Sequence, residues 1–235
     1  MQKVGFDRMI EIEWLNKTVE IYNKESDIKI IKQELNDYLK DKVISDDNRK
    51  KCVNILTSTW VSMPDEFSNL RDKAIKLYND ANENERLLIN WSMMMLAFPI
   101  FCDIIDTIGK LLYLQDDFAI KTVLNRIYDK WGERSTVKYA VPRIIYSMVQ
   151  WKAIEKKKPG ICQKANLIAI DNIDIELFFI ECYMRSFKKD YINFYEVNKL
   201  NPSFPFRLSI RTIDIHNSDS LNLYKANNNL LITFA

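Results

Sequence analysis

Sixteen consecutive residues, Leu87 to Cys102 ("LLINWSMMMLAFPIFC"), carry no charge, and this run constrains the fold more than any other. A stretch this apolar has to leave water. A spanning helix needs about 20 apolar residues; this run is shorter and is interrupted by Asn90, Ser92 and Pro99. It therefore predicts a buried core helix, with Pro99 placed in the first turn of the next helix, where a missing N–H is tolerated. Met93 to Met95 suit an adaptable core or a subunit interface. The early stretch "MQKVGFDRMIEIEW" places acids where a signal peptide would need an unbroken apolar core. The expectation is a cytoplasmic protein with no membrane contact.

Helices are expected on both sides of that run. With 47% hydrophobic residues, 28% charged residues, four glycines and six prolines in 235 residues, the composition fits a mainly helical globular chain and not a loop-rich β architecture. "SDIKIIKQELNDYLKDKV" spaces Ile28, Ile31, Leu35, Tyr38 and Leu39 helically behind Ser26 or Asp27 as cap. "SDDNRKKCVNILTSTW" puts Val53, Leu56 and Trp60 on one face. The cysteines at 52, 102, 162 and 182 form no CxxC pair, and His216 is the sole histidine. A structural zinc is therefore not expected, and the thiols are expected to be reduced. The organisation reads as a helical region 1–98, a central unit 99–170, and a small α/β part 171–235.

From Pro99 the rhythm changes. "PIFCDIIDTIGKLLYLQ" reads as one helix. "DDFAIKTVLNRIYDKW" reads as a second, capped by Asp116 or Asp117 and ended by Gly132. "STVKYAVPRIIYSMVQW" is a third, capped by Ser135 or Thr136. Two β-prone runs follow around "KKKPG". "DIELFFIECYMRSFKK" returns to helix, and "FRLSIRT" and "LNLYKANNNLLITFA" are strand candidates, the latter a hairpin about Asn227 to Asn229.

This order of helix, helix, tight turn, helix, strand, basic turn, strand resembles the winged helix-turn-helix family over residues 99–170. The resemblance implies that residues 135–151 form a recognition helix for the major groove of double-stranded DNA, and that about Ala153 to Ile170 form the wing. A helical N-terminal half, "WSMMMLAFPIF" leading into that unit, and a later "NPSFPFRLSI" also resemble small proteins of prokaryotic phage-defence islands. The helical A component of BREX systems is the named relative. That likeness implies non-catalytic DNA binding within a multi-protein complex.

The residues support the same reading independently. At about 100° per residue, Val137, Ala140, Val141, Ile144, Ile145 and Met148 gather on one side of the third helix. Lys138, Tyr139, Arg143, Tyr146, Ser147 and Gln150 fall opposite, as a groove-facing helix requires. Arg134, Ser135 and Thr136 at its start, and Lys156, Lys157, Lys158 and Lys164 in the hairpin, suit phosphates. From Lys121 to Lys164 there are eleven cations against three acids, a surplus of eight. The chain as a whole is +2, so the remainder sums to −6. Pro142 cuts against a regular helix: either the helix bends, or it starts near Val141 and "RSTVKYA" is a turn.

Catalytic patterns are weak. His216 in "TIDIHNSDS", with Asp214 and Ser218, reads as a turn or cap. The isolated glycines make no phosphate loop. The acids Asp103/Asp106 and Asp171/Asp174/Glu176 read as a solvated face and a helix start, and "SFPF", Ser203 to Phe206, as an anchor of the C-terminal segment. The expectation is a DNA-binding protein that is not an enzyme and needs no cofactor or metal, acting as a regulator or complex subunit, or as a homo-oligomer. The competing reading is a protein–protein adaptor using the same unit.

Overall fold

A computed structural model describes residues 3–227 and 229–235. The protein is mainly α with small sheets toward the C-terminal end. Helices α1 (Ile12–Tyr22), α2 (Ile28–Tyr38), α3 (Asp46–Trp60), α4 (Ser68–Asp80) and α5 (Glu83–Ala97) precede Pro99. Asp27 caps α2 by accepting the Lys29 amide, and Asn82 and Glu85 form a reciprocal capping box on α5. Among the described residues, no helix is long and apolar enough to cross a membrane.

The uncharged run supplies α5 and the start of α6 (Pro99–Leu114), with Pro99 in the first turn. Trp91 and Met93 to Met95 are almost completely buried, so the methionines belong to the core. The Trp91 ring meets Phe101 at 5.0 Å, Trp151 at 6.2 Å, Phe204 at 5.6 Å and Phe206 at 5.5 Å between centroids, all edge-on. Its indole N–H donates to the Pro202 carbonyl. The "SFPF" stretch thus anchors the C-terminal segment on α5. Asn90, also buried, ties three helices together: it accepts from Trp60 Nε1 at 3.0 Å and donates to Asn16 at 2.9 Å. A buried amide satisfied in this way fixes helix register as well as stability.

After α6 come β1 (Asp117–Ala119), α7 (Ile120–Trp131), α8 (Ser135–Gln150), β2 (Ile154–Lys158) and β3 (Ile161–Lys164), and the three strands form an antiparallel sheet in the order β1–β3–β2. Two details differ from expectation. Asp116 and Asp117 do not cap α7. Pairing of Asp117 with Gln163, Phe118 with Cys162 and Ala119 with Ile161 draws this stretch into β1, leaving Ala119 at the cap position. Neither Ser135 nor Thr136 caps α8. Both are already helical, and Arg134 occupies the cap position. Gly132 ends α7 at φ +76°. Asp103 on α6 fixes this end of α7, accepting from Lys130 and from the Trp131 indole at 2.7 Å.

The second β-prone run splits after Lys164. Ile168–Ala169 (β4) pairs in parallel with Phe206–Arg207 (β6), so the hairpin ends at Lys164 and does not continue to Ile170. Between these two strands lie α9 (Ile173–Ser186), capped by Asn172, and β5 (Tyr191–Asn193). Of "FRLSIRT" only Phe206 and Arg207 are strand. A short helix, α10 (Thr212–His216), follows, and it was not expected from sequence. Strands β7 (Leu221–Ala226) and β8 (Asn229–Phe234) form the expected hairpin, with β5 on its other edge. Its turn centre, Asn228, lies outside the described residues. The apolar interior is continuous, from Val4 to Ile232.

Candidate nucleic-acid interface

Helix α8 runs unbroken through Pro142, so Lys138 and Tyr139 lie on the helix and not in a turn. Val137, Ala140, Val141, Ile144, Ile145 and Met148 are fully buried, as the spacing predicts. On the outer arc Ser135, Thr136, Lys138, Tyr139, Tyr146 and Gln150 are exposed, Tyr139 by 58%. Tyr139 and Tyr146, seven residues apart, fall on one side of this helix.

One edge of the expected outer face is covered. Ser147 is fully buried and accepts the Ile10 amide at 2.9 Å. Arg143 is half-buried, donates to the Asp7 carbonyl at 2.7 Å and lies 5.8 Å from the Tyr139 ring centroid. Trp151 donates from its indole to the Ile10 carbonyl. The segment before α1 therefore lies along α8 and takes Ser147 out of any groove-facing set. What remains is a strip of hydroxyl, amide and cationic groups beside two tyrosines.

The hairpin places Lys156, Lys157 and Lys158 on its exposed arm, with a register irregularity between Lys156 and Lys158 and a tight turn through Gly160 at φ +75°. Lys157 forms an ion pair with Asp117 of β1. Lys164, at the far end of β3, lines a separate groove of about 330 Å³ with Tyr113, Leu167, Lys199 and Arg207. It is thus placed apart from the lysines of the hairpin arm.

Arg134 packs against Trp131, donating to its carbonyl at 3.0 Å with the guanidinium 5.9 Å from the ring centroid. Together with Thr136 it lines a cleft of about 750 Å³ whose other walls include Lys3, Lys51, Asn54 and Ser58. Lys3 and Lys51 were not singled out by sequence. Lys51 reads locally as one more exposed cation on an amphipathic helix, and only the tertiary fold brings it to the same cleft as Arg134 and Thr136.

Several members of the remaining polar clusters have structural partners. Asp106 pairs with Lys110, and Glu176 accepts from the Ser209 amide and hydroxyl. Asp214 is held by Arg211, while Ser218 contacts Ser220 and Leu221. Burial pushes all four cysteine thiols up, Cys52 to about 11, away from the range of a reactive thiolate. Among the described residues, no group of three or more His, Cys, Asp or Glu side chains is placed to hold a metal ion. No protein-family model, curated protein or solved structure matches the chain.

Proposed function

We propose that this chain binds duplex DNA without catalysis, with residues 99–164 acting as a winged helix, α8 as the recognition helix and the β2–β3 hairpin as the wing. The observation that carries the reading is the outer arc of α8: Ser135, Lys138, Tyr139, Tyr146 and Gln150 face solvent within the segment that holds a surplus of eight positive charges. The β1–β3–β2 order supports it, because β1 between the first two helices braces the hairpin beside α8. In this reading Lys138, Tyr139, Tyr146 and Gln150 meet base edges and sugars. Arg134, Lys156 and Lys158 contact phosphates, and Arg143 stiffens the helix edge from behind. Membership of a multi-protein phage-defence complex belongs to the same proposal and rests on the resemblance in sequence.

Fluorescence polarisation with a mixed-sequence duplex at 50 and 200 mM salt tests it. Neutralising five phosphates gives a slope of about −4.5 in log affinity against log salt. A Lys138→Ala/Tyr139→Ala variant, both side chains exposed, should fold normally and bind more weakly. Absence of binding at 50 mM salt would overturn the proposal.

A second reading, a protein-binding adaptor, draws on a different surface. Tyr113, Leu114 and Leu167 are 80%, 78% and 53% exposed, and Tyr113 and Leu167 line the groove that also contains Lys164, Lys199 and Arg207. An adaptor would co-purify with a partner and show no salt-dependent duplex binding.

A further inference from the structure

The large cleft is built from segments far apart in sequence. Lys3, Val4, Gly5 and Asp7 come from the segment before α1; Lys51, Asn54 and Ser58 come from α3; Ala97, Phe98 and Pro99 come from the α5–α6 junction; and Arg134 and Thr136 open α8. Its base is apolar, since Val4 and Phe98 are buried, while Lys3, Lys51, Asn54 and Thr136 are exposed at its rim. Three cations therefore line one concavity. The single carboxylate, Asp7, already lies 3.1 Å from the Arg8 guanidinium, which offsets its charge. Arg8 also donates to Asn48 on α3 at 3.0 Å, so cationic groups run from α3 across the N-terminal segment to Arg143 on α8.

We infer that this cleft is a phosphate-binding site that receives the backbone of the duplex flanking α8. The N-terminal helices thus contribute directly to nucleic-acid contact. The inference rests on the proposed DNA-binding function and extends it to residues outside the 99–170 unit. The chemistry fits a phosphodiester better than a carboxylate or an apolar ligand. Spread cations, hydroxyls and a side-chain amide match several oxygens at once, and concave walls of low polarity strengthen the field between cations and an anion. Lys51 and Lys3 supply charge, while Ser58, Asn54 and Thr136 supply directed donors. A backbone phosphate seated here would lie at the first turn of α8, so the helix would be indexed on the duplex by contacts on both sides of its start.

The test measures duplex affinity against salt for the intact chain, for Lys51→Ala, and for Lys29→Ala on the exposed start of α2 as control. Both lysines are exposed, and unchanged circular dichroism spectra and melting curves would show that the variants fold. Loss of one phosphate contact should make the salt slope of Lys51→Ala shallower by about 0.9, uniformly across DNA sequences. Lys29→Ala should match the parent. A Lys51→Ala slope equal to that of Lys29→Ala, with the parent binding DNA normally, overturns the cleft inference and leaves the DNA reading intact. Titration with inorganic pyrophosphate, followed by chemical-shift changes at Lys51, Asn54 and Thr136, separates the two sources of phosphate. If the parent binds pyrophosphate there but no duplex, the site binds a free phosphate ligand and its assignment to a duplex falls. If it binds neither, both proposals fall.

Discussion

Ser147 Oγ accepts the Ile10 amide at 2.9 Å across 137 residues of sequence, in a setting where neither group reaches water. Ser147 also donates to the Arg143 carbonyl, so its hydroxyl is used in both directions. Ser147→Ala would leave the Ile10 N–H buried without a partner, at a cost of about 1–3 kcal/mol. For a chain of this size that lowers the Tm by about 2–4 °C per kcal/mol. Thermal melts of the two proteins check it, and an unchanged Tm would show that the segment before α1 contributes little to stability.

Pro142 costs α8 the hydrogen bond that its N–H would give to the Lys138 carbonyl. A helix interior disfavours proline relative to alanine by about 3 kcal/mol, and only about 0.4–1 kcal/mol is recovered through the stiffer unfolded chain. Pro142→Ala should therefore raise the Tm. A lower Tm would mean that the contacts of the half-buried ring outweigh the missing bond.

Gly109 is required by close approach. A Cβ at this position of α6 would collide with the Asn201 backbone carbonyl, and backbone cannot swing aside as a side chain can. Gly109→Ala should destabilise the protein by roughly 1–3 kcal/mol or more. Because Trp91 donates to Pro202 in the same stretch, displacement of residues 201–203 should also shift the tryptophan emission. A stable variant with unchanged emission would contradict this account of the α6 contact.

Burial pushes the Glu176 carboxyl above its ordinary 4.5, against two hydrogen bonds from Ser209 that hold it down. A raised acid binds protons more tightly in the folded state, so its contribution falls as pH climbs from 4.5 through the raised value. Glu176→Gln removes that component. The Tm difference between variant and parent should shift in favour of the variant between pH 4.5 and 7. A difference that stays constant with pH would show that Glu176 titrates alike in both states.

The helices were legible wherever periodicity encodes burial. Val137, Ala140, Val141, Ile144, Ile145 and Met148 could be read from spacing alone, and so could the Pro99 start of α6. Sequence failed where a residue's state depends on a distant partner. Asp117 looks like a cap until Gln163 pairs with it across a sheet. Ile168 looks like the arm of a hairpin until Phe206, 38 positions later, takes it in parallel. Ser147 sits on the polar arc of its helix, and nothing local announces that Ile10 will cover it. Lys51 became part of a candidate site for the same reason: its companions come from other segments.

The ties between residues 7–10 and α8 also set an order of events during synthesis. Ile10 is fully buried in the finished protein, yet the side chains that hold its backbone, Ser147 and Trp151, are made some 140 residues later, roughly 7–28 s at usual elongation rates. Throughout that interval the Ile10 amide and carbonyl lack their native partners, while Phe6 can already meet Phe98 and Phe101 once α6 has been made. The nascent chain must hold this stretch of backbone provisionally until α8 arrives. A segment made well before α8 is thus among the later ones to settle.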